Sequence, residues 1–163
     1  MLPLLQGVLD AVQVPVLAAG GIGTARGLAA VLAAGAVSAW VGTAFLASTE
    51  AATAAGARER HLAAKDTDTA YGRAFDVAQH MHWPPEYGGR ALRNAYLDHS
   101  VGHEDALEGD DAAPTQLVTA RQVGDFDVAC VYAGEGVSLL RDERSAAAVV
   151  AGAGALLNRT TCR

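Results

Sequence analysis

Lysine is nearly absent from this chain. Lys65 stands alone beside eleven arginines, and the acidic residues outnumber both, for a formal net charge of -6 at pH 7. No basic stripe is available to neutralise a run of phosphates, so nucleic acid is not an expected partner. Cysteine is almost as scarce. Cys130 and Cys162 lie far apart in sequence, without the spacing of a zinc or redox motif. A reduced, cytoplasmic protein is the expectation. A membrane segment is also lacking. Residues 1–22 are apolar, but no positive stretch precedes them and Asp10 interrupts them. Residues 27–49 carry no charge and are long enough to span a bilayer. Gly35, however, reads as the end of a helix and Val37–Val41 as a strand, so a buried αβ unit explains the same hydrophobicity.

The chain has 163 residues, 51% of them hydrophobic. That is enough for a core, in one domain or one domain with a small insertion. Leu2 to Val12 has helical spacing, with Leu5, Leu9 and Val12 on one face. Pro15 requires that helix to have ended. Val14–Ala18 is a short apolar run bounded by turn signals, which predicts a buried parallel strand with Pro15 near its start. Ala19 to Gly23 forms a turn, Thr24 is a good N-cap, and Gly35 closes the next helix. Ala36 to Val41 predicts a second strand, Gly42-Thr43 a second turn, and Ala44 to Ala47 the start of another helix. Helices and strands alternating in this order indicate βα units and a parallel sheet.

Past Thr49 the character changes. Residues 50–64 read as a polar, Ala-rich helix. Residues 66–115 hold most of the aromatic, His and acidic content, broken by Pro84-Pro85 and Gly88-Gly89. The expected organisation is an α/β chain. Residues 1–51 form the last two βα units of a TIM-type (β/α)8 barrel. Residues 52–114 form a small, mostly helical second lobe. Residues 115–163 return and end in a C-terminal helix packed on the barrel.

The chemistry is carried by the two glycine turns. A phosphate approaching a strand–helix turn needs exposed backbone N–H groups and no Cβ in the way. Gly20 and Gly21 meet that need at the first turn. Gly42 and Thr43 meet it at the second, where the hydroxyl adds a donor. The turns are one βα unit apart and fall side by side, like the phosphate site after strands seven and eight of many barrels. Gly21-Ile-Gly23 is not a dinucleotide fingerprint, because Arg26 occupies the third glycine's position.

Other side chains suggest less. His99 and His103 are four apart, but Gly102 weakens that helix and no third ligand is spaced for zinc. All five histidines read as solvated surface groups, and no metal is expected. Trp40 falls in a strand and reads as core. The acidic Asp105–Asp111 loop lacks the alternating oxygen ligands of a calcium site. Neither Ser48 nor Ser100 sits in a nucleophile elbow.

Val14-Pro-Val-Leu-Ala-Ala-Gly-Gly-Ile22, Arg26-Gly-Leu-Ala-Ala30 and Val41-Gly-Thr-Ala-Phe-Leu-Ala47 resemble the end of the barrel in nitronate monooxygenases. Arg90-Ala-Leu-Arg-Asn94 and Tyr132-Ala-Gly-Glu-Gly136 are similar to that family's C-terminal lobe and its return to the barrel. The resemblance implies FMN as cofactor, with alkyl nitronate and O2 converted to a carbonyl compound and nitrite. It implies phosphate contacts from Gly20, Gly21, Gly42 and Thr43, and a place for Ala19 beside the ribityl chain. Tyr132, Ala133 and Gly134 match a segment near the flavin. Glu135 departs from the family's usual Gln and puts a negative charge in that segment. The family's Gly-His base lies upstream of the strand at Val14, and no residue here matches it, so no catalytic residue is assigned. The expectation is a C-terminal fragment, inactive alone, that needs an N-terminal half or self-associates. The alternatives are another flavin barrel, such as an NAD(P)H-dependent enoyl reductase, or a non-catalytic remnant binding phosphate or a partner.

Overall fold

A computed structural model describes residues 1–151. The chain divides into two compact units. One comprises Met1–Thr53 together with the chain from Gly134 onward, and the other is Ala54–Ala133.

The first unit is built from helices and two parallel strands. Helix α1 (Leu2–Ala11) has Pro near its start and gives way to extended backbone at Val12. Strand β1 (Leu17–Ala19) follows. It begins later than the expected Val14, because Pro15 has no N–H to contribute to a ladder. Helix α2 (Ala25–Ala33) is capped by Thr24, whose Oγ1 accepts from the Gly27 N–H at 3.1 Å. Gly35 closes it with a φ of 109°, a left-handed conformation that glycine adopts without strain. Strand β2 (Ser38–Trp40) lies parallel to β1, with Leu17 opposite Ser38 and Ala19 opposite Trp40. Helix α3 (Thr43–Leu46) then starts at the second glycine turn. Leu5, Ala18, Ile22, Val31 and Ala36 form the core. The segment after Gly134 joins this unit through a parallel bridge between Ser48 and Arg144, and residues 146–151 are helical. The Glu50 carboxylate accepts from the Ala146 N–H at 2.8 Å, which holds its pKa below the ordinary value. The end of the expected C-terminal helix lies outside the described residues.

The strands were expected to be buried on both faces, with Trp40 in the core. Instead Ala18 is buried while its neighbour Leu17 is exposed, and Trp40 is 72% exposed. Side chains of a strand alternate between faces. Helical residues pack on the Ala18 face, and the described residues of this unit supply no layer for the other. Two strands among the described residues do not close a barrel, and Val14, Leu17, Val37 and Trp40 remain exposed apolar surface. Such surface favours association. The 163-residue chain at micromolar concentration is therefore expected to sediment as dimers or larger species; a stable, compact monomer would contradict this.

The second unit contains helix α4 (Ala55–Ala63), strand β3 (Thr69–Gly72) and helix α5 (Ala74–Ala78). Strand β4 (Gly89–Leu92), helix α6 (Ala95–Ser100) and helix α7 (Ala113–Val123) complete it. The lobe is less helical than expected. β3 and β4 pair antiparallel, and Leu92 and Ala133 bond the 131–133 segment to β4. Gly88 permits that pairing: a Cβ there would lie 2.5 Å from the Gly72 carbonyl oxygen. Gly88 thus marks a close backbone approach as well as the break that the Gly88-Gly89 pair signals.

The lobe also runs past residue 114. Ala113, Leu117 and Cys130 share its core with Phe75, Ala91 and Leu97. Buried Asn94 ties the ends together. Its Oδ1 caps α6 by accepting from the Leu97 N–H at 2.9 Å. Its Nδ2 donates to the Phe126 and Ala129 carbonyls at 3.1 and 3.0 Å. Asn94→Ala removes a cap and strands two carbonyls, so a loss of about 2–3 kcal/mol is expected in urea unfolding. A change under about 0.5 kcal/mol, the ordinary surface range, would show that these bonds are not needed.

Candidate functional site

Both glycine turns open onto one cavity of about 220 Å³ in the first unit. The first wall is the end of β1 and its turn, Ala19 to Gly23. Gly20 and Gly21 have φ of 93° and 68°, conformations that an L side chain adopts only with strain. The second wall is Trp40 to Thr43, at the end of β2. A Cβ built on Gly20, Gly21 or Gly42 meets no protein atom within 4 Å. Space beside these glycines is therefore open to a ligand. Gly134 and Gly136 provide a third wall. This wall packs tightly on the first, since a Cβ on Gly136 would lie 3.3 Å from the Gly21 carbonyl oxygen.

Thr43 links the second and third walls. Its Oγ1 accepts from the Gly134 N–H at 3.0 Å. A hydroxyl that accepts one bond keeps its own proton to donate elsewhere. The Gly134 N–H, in turn, is already committed to Thr43. None of the eleven residues lining the cavity has an ionisable side chain. The site can hold an anion through neutral donors, and it offers no group to move a proton.

Ala19, Gly20, Gly21, Gly42, Thr43 and Gly134 thus line one cavity. Tyr132 and Ala133 do not; they belong to the other unit, beside β4. The Tyr132 hydroxyl donates to buried Asp76 and accepts from Gln79, both at 3.1 Å. Asp76 also accepts from the Gly89 N–H at 2.9 Å. The Tyr132 carbonyl accepts from His61 Nε2 at 3.0 Å. His61 is one of the histidines expected at the surface, yet it is 2% exposed, because α4 turns it into the lobe toward that carbonyl. Burial, the largest cause, raises the Tyr132 phenol above its ordinary range. No local sequence pattern signals the roles of Asp76, Gln79 or His61, whose partner Tyr132 lies more than fifty residues away. Alternation along β2 puts Trp40 on the same face as Ser38, but that this face is the uncovered one is set by the layers packed on the sheet and is not signalled locally.

Burial also pushes the Cys130 thiol up to about 12. Only the thiolate reacts. With Cys162→Ser in place, Cys130 in the folded chain is expected to alkylate with iodoacetamide at pH 8 roughly a thousandfold more slowly than free cysteine. Labelling at the rate of free cysteine would place the thiol in contact with solvent.

A family model described as nitronate monooxygenase matches residues 1–153. The chain belongs to the nitronate monooxygenase family. A nitronate monooxygenase of Neurospora crassa is 33% identical over 150 residues, covering 85% of this chain and 36% of that protein. A hydroxy-methyl-oxo-octahydro-indene-carboxyl-CoA dehydrogenase of Rhodococcus jostii is 44% identical over 106 residues, covering 65% of this chain and 27% of that protein. Among solved structures, a nitroalkane oxidase from Streptomyces ansochromogenes matches with a TM-score of 0.81 and 32% identity, over 99% of this chain and 45% of its own. The chain therefore spans less than half the length of these relatives. The fold is α/β and corresponds to about half of the nitroalkane oxidase chain. Among the described residues no helix is long and apolar enough to cross a membrane.

Proposed function

We propose that this chain grips the phosphate of FMN in the cavity between the Gly20-Gly21 and Gly42-Thr43 turns, as part of an FMN-dependent oxidation of alkyl nitronates to a carbonyl compound and nitrite. The observation that carries this reading is the convergence of two glycine turns, one βα unit apart, on a single cavity. Backbone N–H groups and the Thr43 hydroxyl are the donors, and the glycines leave room for phosphate oxygens to approach. The cavity is smaller than the roughly 300–1,000 Å³ of pockets that enclose a drug-sized ligand. It suits the phosphate end of FMN, with the ring outside. Bound flavin would supply the electron acceptance that nitronate oxidation requires. This chain's lining residues bind and orient; none of them has an ionisable side chain that could serve as general acid or base.

Fluorescence titration with FMN and with riboflavin tests the reading. FMN should bind at least tenfold more tightly, as one charge-assisted contact of about 1.5–3 kcal/mol implies. Equal affinity for the two would remove the phosphate grip.

The Rhodococcus relative, more identical over a shorter span, favours a second reading: dehydrogenation of a CoA-linked carbon acid by the same bound flavin. Nitrite release from a nitronate against flavin reduction by an acyl-CoA separates the two. Oxidation of NAD(P)H instead would mark an enoyl reductase, and failure to retain flavin would mark a non-catalytic remnant.

A further inference from the structure

Among the described residues Trp40 is the one aromatic lining the glycine cavity, and at 72% exposed it is an expensive side chain to leave in water. It sits at the end of β2, directly opposite Ala19 across the strand pair. The same face of the sheet carries exposed Leu17. The polar donors of the site belong to the turns, whereas the strand ends offer only Ala19 and this indole. Of the side chains that line the cavity, the Trp40 indole is the largest flat apolar surface beside the glycine turns, and it is open to a ligand's remaining atoms.

We propose that Trp40 is a ring contact of the site, its indole packing against the isoalloxazine of a flavin whose phosphate is held by the glycine turns. The inference rests on the FMN reading and adds to it a specificity element: planar aromatic ligands are favoured over other phosphate esters. Two flat π-systems pack well in offset contact, and an indole in such contact is a strong quencher of flavin emission. Quenching of that kind needs near van der Waals approach, which makes it a report on contact.

The test uses the full 163-residue chain. On binding the wild-type chain, FMN should lose most of its green emission. Trp40→Leu should lower FMN affinity about tenfold, or about 1.4 kcal/mol, and restore the emission of the FMN that remains bound. Trp83→Leu, in the other unit, should change neither. Ribitol 5-phosphate, which has the phosphate but no ring, should compete with FMN with the same inhibition constant in wild type and Trp40→Leu; a merely structural role for Trp40 would weaken it too. FMN binding to Trp40→Leu with wild-type affinity and emission would overturn the ring contact and leave the phosphate grip standing. Failure of the wild-type chain to bind FMN at all would overturn both.

Discussion

Gly42→Val should cost the chain about ten- to a hundredfold in FMN affinity and erase its preference for FMN over riboflavin. The choice of Gly42 over Gly21 follows from the backbone. Gly21 has a φ of 68°, so a valine there strains the turn whatever it does to the ligand. Gly42 has φ -108° and ψ -71°, outside the left-handed region, so φ itself does not demand glycine. The Cβ added at Gly42 meets no protein atom within 4 Å. Valine's branches are therefore expected to fill cavity space that phosphate oxygens need. Loss of one charge-assisted hydrogen bond, at about 1.5–3 kcal/mol, corresponds to that range of affinity. Thermal unfolding should shift little, which separates a blocked site from a broken fold. A folded Gly42→Val that still prefers FMN over riboflavin would move the phosphate to another place.

What the sequence disclosed, and what it withheld, divides along a physical line. Thr24, Gly35 and the Gly20-Gly21 turn act through chemistry confined to a few residues: a hydroxyl accepts from the N–H three positions on, and glycine takes a positive φ. Such features are readable in any context. The exposure of Trp40 is a different kind of fact. It depends on which layers lie against β2, and no local pattern distinguishes a strand covered on two faces from one covered on one. The β3–β4 pair was equally hidden. Its register rests on Gly88 passing against the Gly72 carbonyl, a contact across sixteen residues of chain. The lobe's true extent depends on Asn94, whose amide reaches carbonyls 32 and 35 residues away. His61 and Asp76 were missed for the same reason: their partners, Tyr132 and Gly89, come from distant sequence. The cavity was legible because two local glycine turns were joined by the one long-range inference the pattern does license, that successive βα units lie side by side.

Saturated with FMN, the 163-residue chain should release nitrite from propyl nitronate no faster than the same concentration of free FMN. A grip on the phosphate is made equally in ground state and transition state. It raises occupancy and lowers no barrier. Rate requires a substrate held in a defined orientation over the ring, an effect worth several kcal/mol, and walls that do the holding. The cavity's eleven lining residues are glycine, alanine, Ile22, Val41, Thr43 and Trp40, and none of them carries a base. The face of β1 and β2 beside them is open, with Leu17 and Trp40 exposed. Trp40 can contact a ring, but its indole is a hydrogen-bond donor with no basic nitrogen to take a proton from a carbon acid. The comparison with relatives points the same way, since this chain corresponds to 45% of the Streptomyces nitroalkane oxidase. Nitrite should be measured under air, with anaerobic nitronate and free FMN as baselines. A rate well above free FMN, and lost in Gly42→Val, would show that the glycine cavity and its single indole suffice for turnover.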